Sequence, residues 1–205
     1  MEGMGSVARD SMERRRRLRI VIPAYPSFNI YSGVAKFMTA LGPVSVATSV
    51  HDVEGWDVEV IDENNYGRSA PKDHSGLPDH GALQRLRPAD VVGFYGGLSS
   101  TIPRLYAVAR FYQGRRIPTI AGGQHFIEEN IMEGLRNGID VIAIGEGQET
   151  IKELLFAFEG KRRKSEIPGI AYLDHDRLVQ NGVREPLTHF DRLPMPDFSW
   201  SGTPS

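Results

Sequence analysis

The sequence predicts an α/β fold in which a parallel sheet of five strands carries helices on both faces. Short apolar runs recur along the chain, and segments with helical periodicity separate them. Short apolar strands without strict alternation are typical of a parallel sheet that is buried on both faces. Strands that alternate with helices imply right-handed crossovers, and the predicted strand order is 2-1-3-4-5.

Five runs are predicted as strands because each is short, apolar and rich in β-branched residues. The helices are predicted from apolar residues at i, i+3, i+4 and i+7, and Pro43 suits the first turn of one of them. The strands are 18–23, 57–62, 90–95, 117–121 and 140–144, and the helices are 32–41, 43–53, 102–112, 127–136 and 148–158.

The two ends of the chain differ in character from the middle. We expect residues 1–17, which include the run Arg14–Arg17, to form a disordered, solvated basic tail. Residues 18–160 are predicted to form the α/β domain. Residues 161–205 are predicted to form a small hairpin (170–173 and 178–180) and a proline-rich linker leading to a further domain.

Composition limits the possible functions. The 205 residues are 40% hydrophobic and 24% charged with a formal net charge of −2, which gives no argument for nucleic acid or an anionic membrane. The chain has no cysteine, so disulfides, thiol catalysis and cysteine-held iron–sulfur clusters are excluded within it. No apolar stretch approaches ~20 residues, so nothing is expected to span a membrane, and we expect a cytoplasmic protein.

Familiar nucleotide sites do not fit the loop after the first strand. A Rossmann site needs a G-x-G-x-x-G turn there, and residues 23–28 contain no glycine but two prolines, which lack N–H donors. A P-loop is absent, and a loop for flavin mononucleotide fails for the same shortage of donors. A phosphoacceptor receiver domain is rejected because no aspartate ends the third strand.

Glycines and hydroxyl residues mark the ends of the later strands. Gly96–Thr101 offers hydroxyl and backbone donors. Gly122-Gly123 offers backbone without side chains, which allows a ligand to approach closely. Ligands of open parallel sheets bind beyond the carboxyl ends of the strands. Such a surface suits a bulky ligand that inserts a tail between sheet and helices.

Several motifs follow one another in the order seen in a known family. They are Leu41-Gly42-Pro43-Val44, the strand at 89–93 with Ser99-Ser100-Thr101, Gly122-Gly123-Gln124-His125, 145–150 (GEGQET), Ile167–Ala171 and 193–198 (LPMPDF). Over about residues 18–199 the sequence resembles the N-terminal cobalamin-binding domain of cobalamin-dependent radical S-adenosylmethionine enzymes.

The resemblance implies a flavodoxin-like (Rossmann-like) domain that binds cobalamin, with the dimethylbenzimidazole tail entering beside Gly122-Gly123. The corrin would lie over the loops after strands one, three, four and five. A separate radical domain would hold a [4Fe–4S] cluster and S-adenosylmethionine, so this chain alone is not expected to be catalytic. The implied cofactor-binding residues are Tyr25, Gly42, Pro43, Ser99, Ser100, Thr101, Gly122, Gly123, Gln124, His125, Gly145, Glu146 and Gly147.

Two departures from related cobalamin proteins stand out. The loop after the first strand lacks the histidine that serves other cobalamin proteins as lower axial ligand, which predicts base-off, His-off binding with residues 25–30 near the lower face. Tyr95-Gly96-Gly97 stands where a serine is expected soon after strand three.

Less specific interpretations remain open at this stage. Gly122-Gly123 could form only a tight turn, His125 could be structural, and Ser99–Thr101 and the acids Glu146 and Glu149 could cap helices. The histidines show no metal-ligand spacing. The domain could also be a cofactor-free scaffold of the same family, or an unrelated flavodoxin-like binder. Substitution of Gly122 or Gly123 by a bulky residue would distinguish a cobalamin-binding domain from a scaffold: it should abolish cobalamin binding in the former and affect only stability in the latter.

Overall fold

A seven-stranded sheet in the order β2-β1-β3-β4-β5-β6-β7 forms the centre of the molecule. The computed structural model describes residues 14–27, 33, 38–67, 71–188 and 193–201. The first five strands are parallel, which confirms the predicted order 2-1-3-4-5. The strands are β1 (Arg16–Ile22), β2 (Trp56–Asp62), β3 (Val91–Tyr95), β4 (Thr119–Gly122), β5 (Val141–Ala143), β6 (Ile170–Asp174) and β7 (Arg177–Gln180).

The predicted C-terminal hairpin is not a separate appendage, because it continues the sheet. Its first strand, β6, pairs antiparallel with β5, with Ala143 opposite Ile170. An unpaired edge strand leaves a row of backbone donors and acceptors open, and the hairpin covers that edge of β5. The sheet therefore has seven strands where five were predicted.

In the described part of the chain, five α-helices cover the two faces of the sheet. One face packs under α1 and α5 and the other under α2, α3 and α4, which places a hydrophobic core on each side. Both layers are needed because the strands are apolar on both faces. The helices are α1 (Leu41–Ser49), α2 (His80–Leu86), α3 (Ile102–Gln113), α4 (Glu129–Arg136) and α5 (Gly147–Phe158).

Some predicted boundaries were wrong, and one helix was missed. Helix α2 has only seven residues and contains Gly81, so its periodicity is weak. Its start is nevertheless marked by Asp79, whose carboxylate accepts a hydrogen bond from Ala82 N at 2.9 Å. Helix α1 ends at Ser49 and not at residue 53. Half of the helix predicted at 32–41 (residues 32 and 34–37) lies outside the described residues; of the other half, residues 38–40 are not helical and Leu41 begins α1.

The arginine run is not wholly the solvated tail that was expected. Arg16 and Arg17 begin β1, two residues earlier than predicted. Arg14 pairs with Asp90 at 2.7 Å, and Arg16 pairs with Glu159 at 2.5 Å. Exposed ion pairs contribute only about 0–1 kcal/mol each. The run therefore attaches the start of β1 to neighbouring segments.

A buried polar network holds the ends of β1 and β2 against α2 and α3. Glu63 accepts hydrogen bonds from His80 Nε2 at 3.0 Å, from Arg104 Nε at 2.9 Å and from Ala24 N at 2.9 Å. Burial by itself would raise the pKa of Glu63. The hydrogen bonds from His80 and Arg104, with the charge of Arg104, outweigh burial and lower that pKa below its usual value.

We expect Glu63→Gln to destabilise the fold by about 2 kcal/mol at pH 7, because the partly buried cation Arg104 loses its charged partner. A carboxyl group with a lowered pKa in the folded state stabilises the protein above its unfolded pKa of about 4.3, and this contribution is lost as pH falls. The stability difference between wild type and variant should therefore shrink from pH 7 to pH 3 in urea unfolding. The exposed Glu54→Gln is the control, and an equal loss in it would contradict the prediction.

Candidate functional site

A pocket of about 280 Å³ lies between the sheet and the helices α1 and α5 at the carboxyl ends of the strands. This is the edge at which parallel sheets bind ligands. One side of the pocket is formed by β1, β3, β4 and β5, and the other by the N-terminal two turns or so of the two helices. The lining residues are Ile20, Gly42, Pro43, Val46, Gly93, Phe94, Tyr95, Ile120, Ala121, Gly122, Gly123, Ala143, Gly145, Glu146, Gly147, Gln148, Ile151 and Leu154.

Small residues in register create the open floor. Gly122 lies opposite Ala143 on β5, and Gly93 lies opposite Ile20 on β1. Residues two apart on a strand share a face, so Gly93 lies directly below Tyr95 on the pocket side. Larger side chains at these positions would fill the space between the sheet and the helices. Because Gly93, Gly122 and Ala143 are small, a slot remains there.

The two glycines of the Gly122-Gly123 turn have different structural roles. Gly123 has φ +119°, and a Cβ atom there would lie 2.6 Å from the carbonyl oxygen of Gly96. A Cβ atom at Gly122 would meet only Ala143, its O at 3.5 Å and its Cβ at 3.7 Å, which is ordinary contact. The fold therefore requires glycine at 123, whereas glycine at 122 keeps the pocket open.

Seven of the predicted cofactor-binding residues come together at this pocket. They belong to two helix starts and one strand end that are far apart in sequence. Gly147 allows α5 to approach α1 closely, because a Cβ atom there would lie 3.0 Å from Val46 Cγ2. The seven residues are Gly42, Pro43, Gly122, Gly123, Gly145, Glu146 and Gly147.

The remaining predicted residues lie in loops around the pocket and do not line it. Ser99 lies 3.2 Å through its hydroxyl from His125 Nδ1, so the loops after β3 and β4 are linked. Thr101 is buried, and its hydroxyl donates to Leu98 O at 2.8 Å. Ser100 and Gln124 belong to the same two loops and are absent from the pocket wall.

Tyr25 lines a second, more polar cavity of about 460 Å³ at the carboxyl ends of β1 and β2. The backbone N–H of Tyr25 donates to Asn64 Oδ1 at 2.8 Å, which fixes the loop after β1 to the end of β2. Burial, followed by the nearby groups Tyr95 and Asp62, raises the pKa of the Tyr25 phenol. Tyr25 therefore lies beside the end of β2 and outside the pocket under α1 and α5.

Glu146 contacts the C-terminal segment. Its carboxylate accepts a hydrogen bond from Leu187 N at 3.0 Å, and no side-chain cap bond is made at the start of α5. The hydroxyl of Thr150 donates to Glu146 O at 3.0 Å and accepts from Arg184 Nε at 2.9 Å. Residues 182–188, which we call the strap, therefore lie against the first turn of α5.

Arg184 anchors the strap in a partly buried position. In addition to Thr150 it pairs with Glu153, which also pairs with Arg162 at 2.8 Å. Farther along, Asp197 N donates to Thr48 Oγ1 at 2.9 Å, so residues near 197 contact α1. The predicted linker region thus contacts both helices that roof the pocket.

We expect Arg184→Met to speed dissociation of a ligand held in the pocket about fivefold, because the first turn of α5 loses its outer support. Arg162→Met removes the other ion pair of Glu153 and leaves the strap bonded, so it should not change dissociation. Dissociation rates of the bound ligand, followed by absorbance, test this. Equal rates in both variants would contradict the prediction.

The sequence did not reveal several pocket residues. Those on the helices follow core spacing, so they could not be distinguished from ordinary core positions. Those on the strands become neighbours only through the register of the sheet. The residues missed are Ile20, Val46, Gly93, Phe94, Tyr95, Ile120, Ala121, Ala143, Gln148, Ile151 and Leu154.

Neither metal clusters nor membrane spans are found in the described part of the chain. Within 14–27, 33, 38–67, 71–188 and 193–201, no three residues among His, Asp and Glu group as metal ligands. No helix in these ranges has the length and apolar character needed to cross a bilayer. His80 is buried and bonded to Glu63 and Tyr112.

Fold and pocket together define an α/β domain with an apolar pocket at the carboxyl edge of its sheet. The B12-binding domain family model matches residues 32–155 of the 205. Since this match covers more than half of the chain, the protein belongs to the B12-binding domain family. A search of curated proteins gives no match.

Solved structures with the same fold include enzymes much longer than this chain. The cobalamin-dependent S-adenosylmethionine radical enzyme OxsB with aqua-cobalamin bound has a TM-score of 0.67 and 14% identity, over 88% of this chain and 24% of that chain. The radical S-adenosylmethionine methyltransferase TsrM from Kitasatospora setae, with tryptophan substrate and a SAM analog bound, has a TM-score of 0.60 and 20% identity. The match covers 83% of this chain and 31% of that chain. The chain thus spans a quarter to a third of their length.

Proposed function

We propose that the chain binds cobalamin with its nucleotide tail in the pocket under α1 and α5. The slot above Gly93, Gly122 and Ala143 carries this proposal, because it is apolar and lies at the carboxyl edge of the sheet. A flat heteroaromatic base fits such a slot, and its insertion removes apolar surface from water. The corrin then lies outside, over the loops at the strand ends.

The residues present fit this group. Gly122 and Gly123 bring bare backbone to the pocket wall, and Gly42 and Gly145 line the pocket without adding side chains. The outer loops, which carry Ser99, Ser100, Thr101, Gln124 and His125, would face the corrin. Bound cobalamin supplies a cobalt centre that carries a methyl group or changes oxidation state. This chain would hold the tail and exclude water from it.

Cobalamin held in this way is base-off, because a base buried in the pocket does not coordinate cobalt. We propose that it is also His-off, since residues 23–42 contain no histidine. Tyr25 on the loop after β1 would lie near the lower face, and its backbone is fixed by Asn64. The predicted neighbours 28–30 lie outside the described residues.

Electron paramagnetic resonance of the complex with cob(II)alamin tests the ligation. A nitrogen bound to cobalt splits each cobalt line into three, so base-off, His-off binding predicts cobalt lines without this splitting. Persistent nitrogen splitting would contradict the proposal. Free cob(II)alamin at neutral pH, whose own base binds cobalt, is the reference.

We further propose that the domain works as part of a longer cytoplasmic radical enzyme. Residues 18–160 would form the cobalamin unit, and 161–205 the hairpin and link to a domain that holds a [4Fe–4S] cluster and S-adenosylmethionine. Support comes from the neighbours, which are radical enzymes that exceed the chain in length. The activity would be methyl transfer or related radical chemistry on carbon.

Iron binding tests the larger proposal. This chain has no cysteine and should hold no cluster after anaerobic reconstitution. A longer protein that includes it should hold one cluster, which is four irons per protein chain. A longer protein without a cluster would favour a cobalamin domain of a different kind of enzyme.

A further inference from the structure

Tyr95 is the large side chain in a row of small residues at the pocket entrance. It ends β3, lies opposite Gly122 on β4, and Gly122 in turn lies opposite Ala143 on β5. The row below contains Gly93, on the same face of the same strand. A bulky aromatic residue therefore borders a slot whose nearest floor positions carry almost no side chain.

The ring of Tyr95 lies at the pocket wall and has a glycine on either side. A Cβ atom at Gly97 would lie 2.3 Å from Tyr95 Cζ and 2.4 Å from its hydroxyl oxygen, so the ring rests directly on the backbone of Gly97. On the other side, a Cβ atom at Gly42 would be 3.8 Å from Tyr95 Cε2. The ring thus reaches from the loop after β3 to the first turn of α1.

Small residues surround the ring. It rests on the backbone of Gly97, and its neighbours on the sheet, Gly93 and Gly122, carry no side chain. The ring is only partly buried at the edge of the core that includes α1. Rotation about the side-chain bonds of Tyr95 would therefore change the width of the slot without movement of the sheet.

We propose that Tyr95 is the gate of the pocket and selects what enters it by controlling the passage of the nucleotide tail. This inference rests on the proposed function, since the tail is taken as the group that enters. The ring must leave its place over Gly97 before the base inserts, and it closes behind the base. Entry and exit are both slowed by the ring and not by its hydroxyl.

Stopped-flow absorbance with hydroxocobalamin tests the gate. Tyr95→Ala and Tyr95→Ser should raise both the association and the dissociation rate constants by about tenfold, within the range that single substitutions reach. Tyr95→Phe keeps the ring and should match wild type. The two small variants guard against one of them failing to fold, which circular dichroism would show.

The possible outcomes distinguish the gate proposal from the proposed cobalamin binding on which it rests. Saturable binding with an association rate constant that is unchanged in the small variants would overturn the gate and leave the proposed function intact. A Phe variant as fast as the Ala variant would overturn it as well. Absence of cobalamin binding in wild type and in every variant would overturn the proposed function and the gate together.

Discussion

Gly122→Leu is expected to weaken cobalamin binding by about 100-fold, which corresponds to about 2.7 kcal/mol. A Cβ atom at this position meets only Ala143 O at 3.5 Å and Ala143 Cβ at 3.7 Å, so the backbone accepts a side chain. The leucine would extend into the slot and occupy the volume that the base needs. Binding should fall while the fold persists, because no strained φ angle is involved.

Gly182→Leu is the matched control for this variant. Gly182 also tolerates a Cβ atom, with nothing within 4 Å, and it lies on the exposed strap away from the pocket wall. It should bind cobalamin as wild type does. Isothermal titration and thermal melts of the two variants separate affinity from stability. Unimpaired binding by Gly122→Leu would mean that the ligand does not use the slot.

Gly123→Ala should act in a different way and destabilise the fold itself by about 3 kcal/mol. The residue has φ +119°, which side chains rarely adopt, and its Cβ atom would lie 2.6 Å from Gly96 O and 2.7 Å from Gly96 C. Both obstacles are backbone atoms of the neighbouring loop. The loops after β3 and β4 would therefore have to separate.

Gly160→Ala provides the control that isolates the steric contribution. Gly160 also has a positive φ of +75°, but nothing lies within 4 Å of its Cβ position. Alanine there should cost only about 1–2 kcal/mol, the cost of a left-handed conformation. Urea unfolding measures both losses. Equal losses would show that the contact with Gly96 contributes nothing.

The parallel sheet was predictable because each strand is a short apolar run buried on both faces. The same reasoning placed the glycine turns at the ligand edge, and Gly42, Gly122, Gly145 and Gly147 do line the pocket. Local signals were sufficient here because a turn and a helix start leave marks in a few adjacent residues.

Features that depend on distant partners were not predictable. Tyr95 becomes a pocket residue only because register sets it beside Gly122, and nothing local marks that pairing. Glu146 looked like a helix cap or a cofactor contact, yet its partner is Leu187, 41 positions away. The hairpin joins the sheet because β5 has an open edge, a property of the assembled fold.

Equilibrium dialysis of the chain against hydroxocobalamin and against cobinamide, which lacks the nucleotide tail, tests the central claim most directly. The account predicts saturable binding of one cobalamin per chain and much weaker binding of cobinamide, because the pocket holds the tail. Equal affinity for the two ligands would contradict insertion of the tail into the pocket. Absence of binding by either ligand would contradict the proposed function and favour a scaffold role.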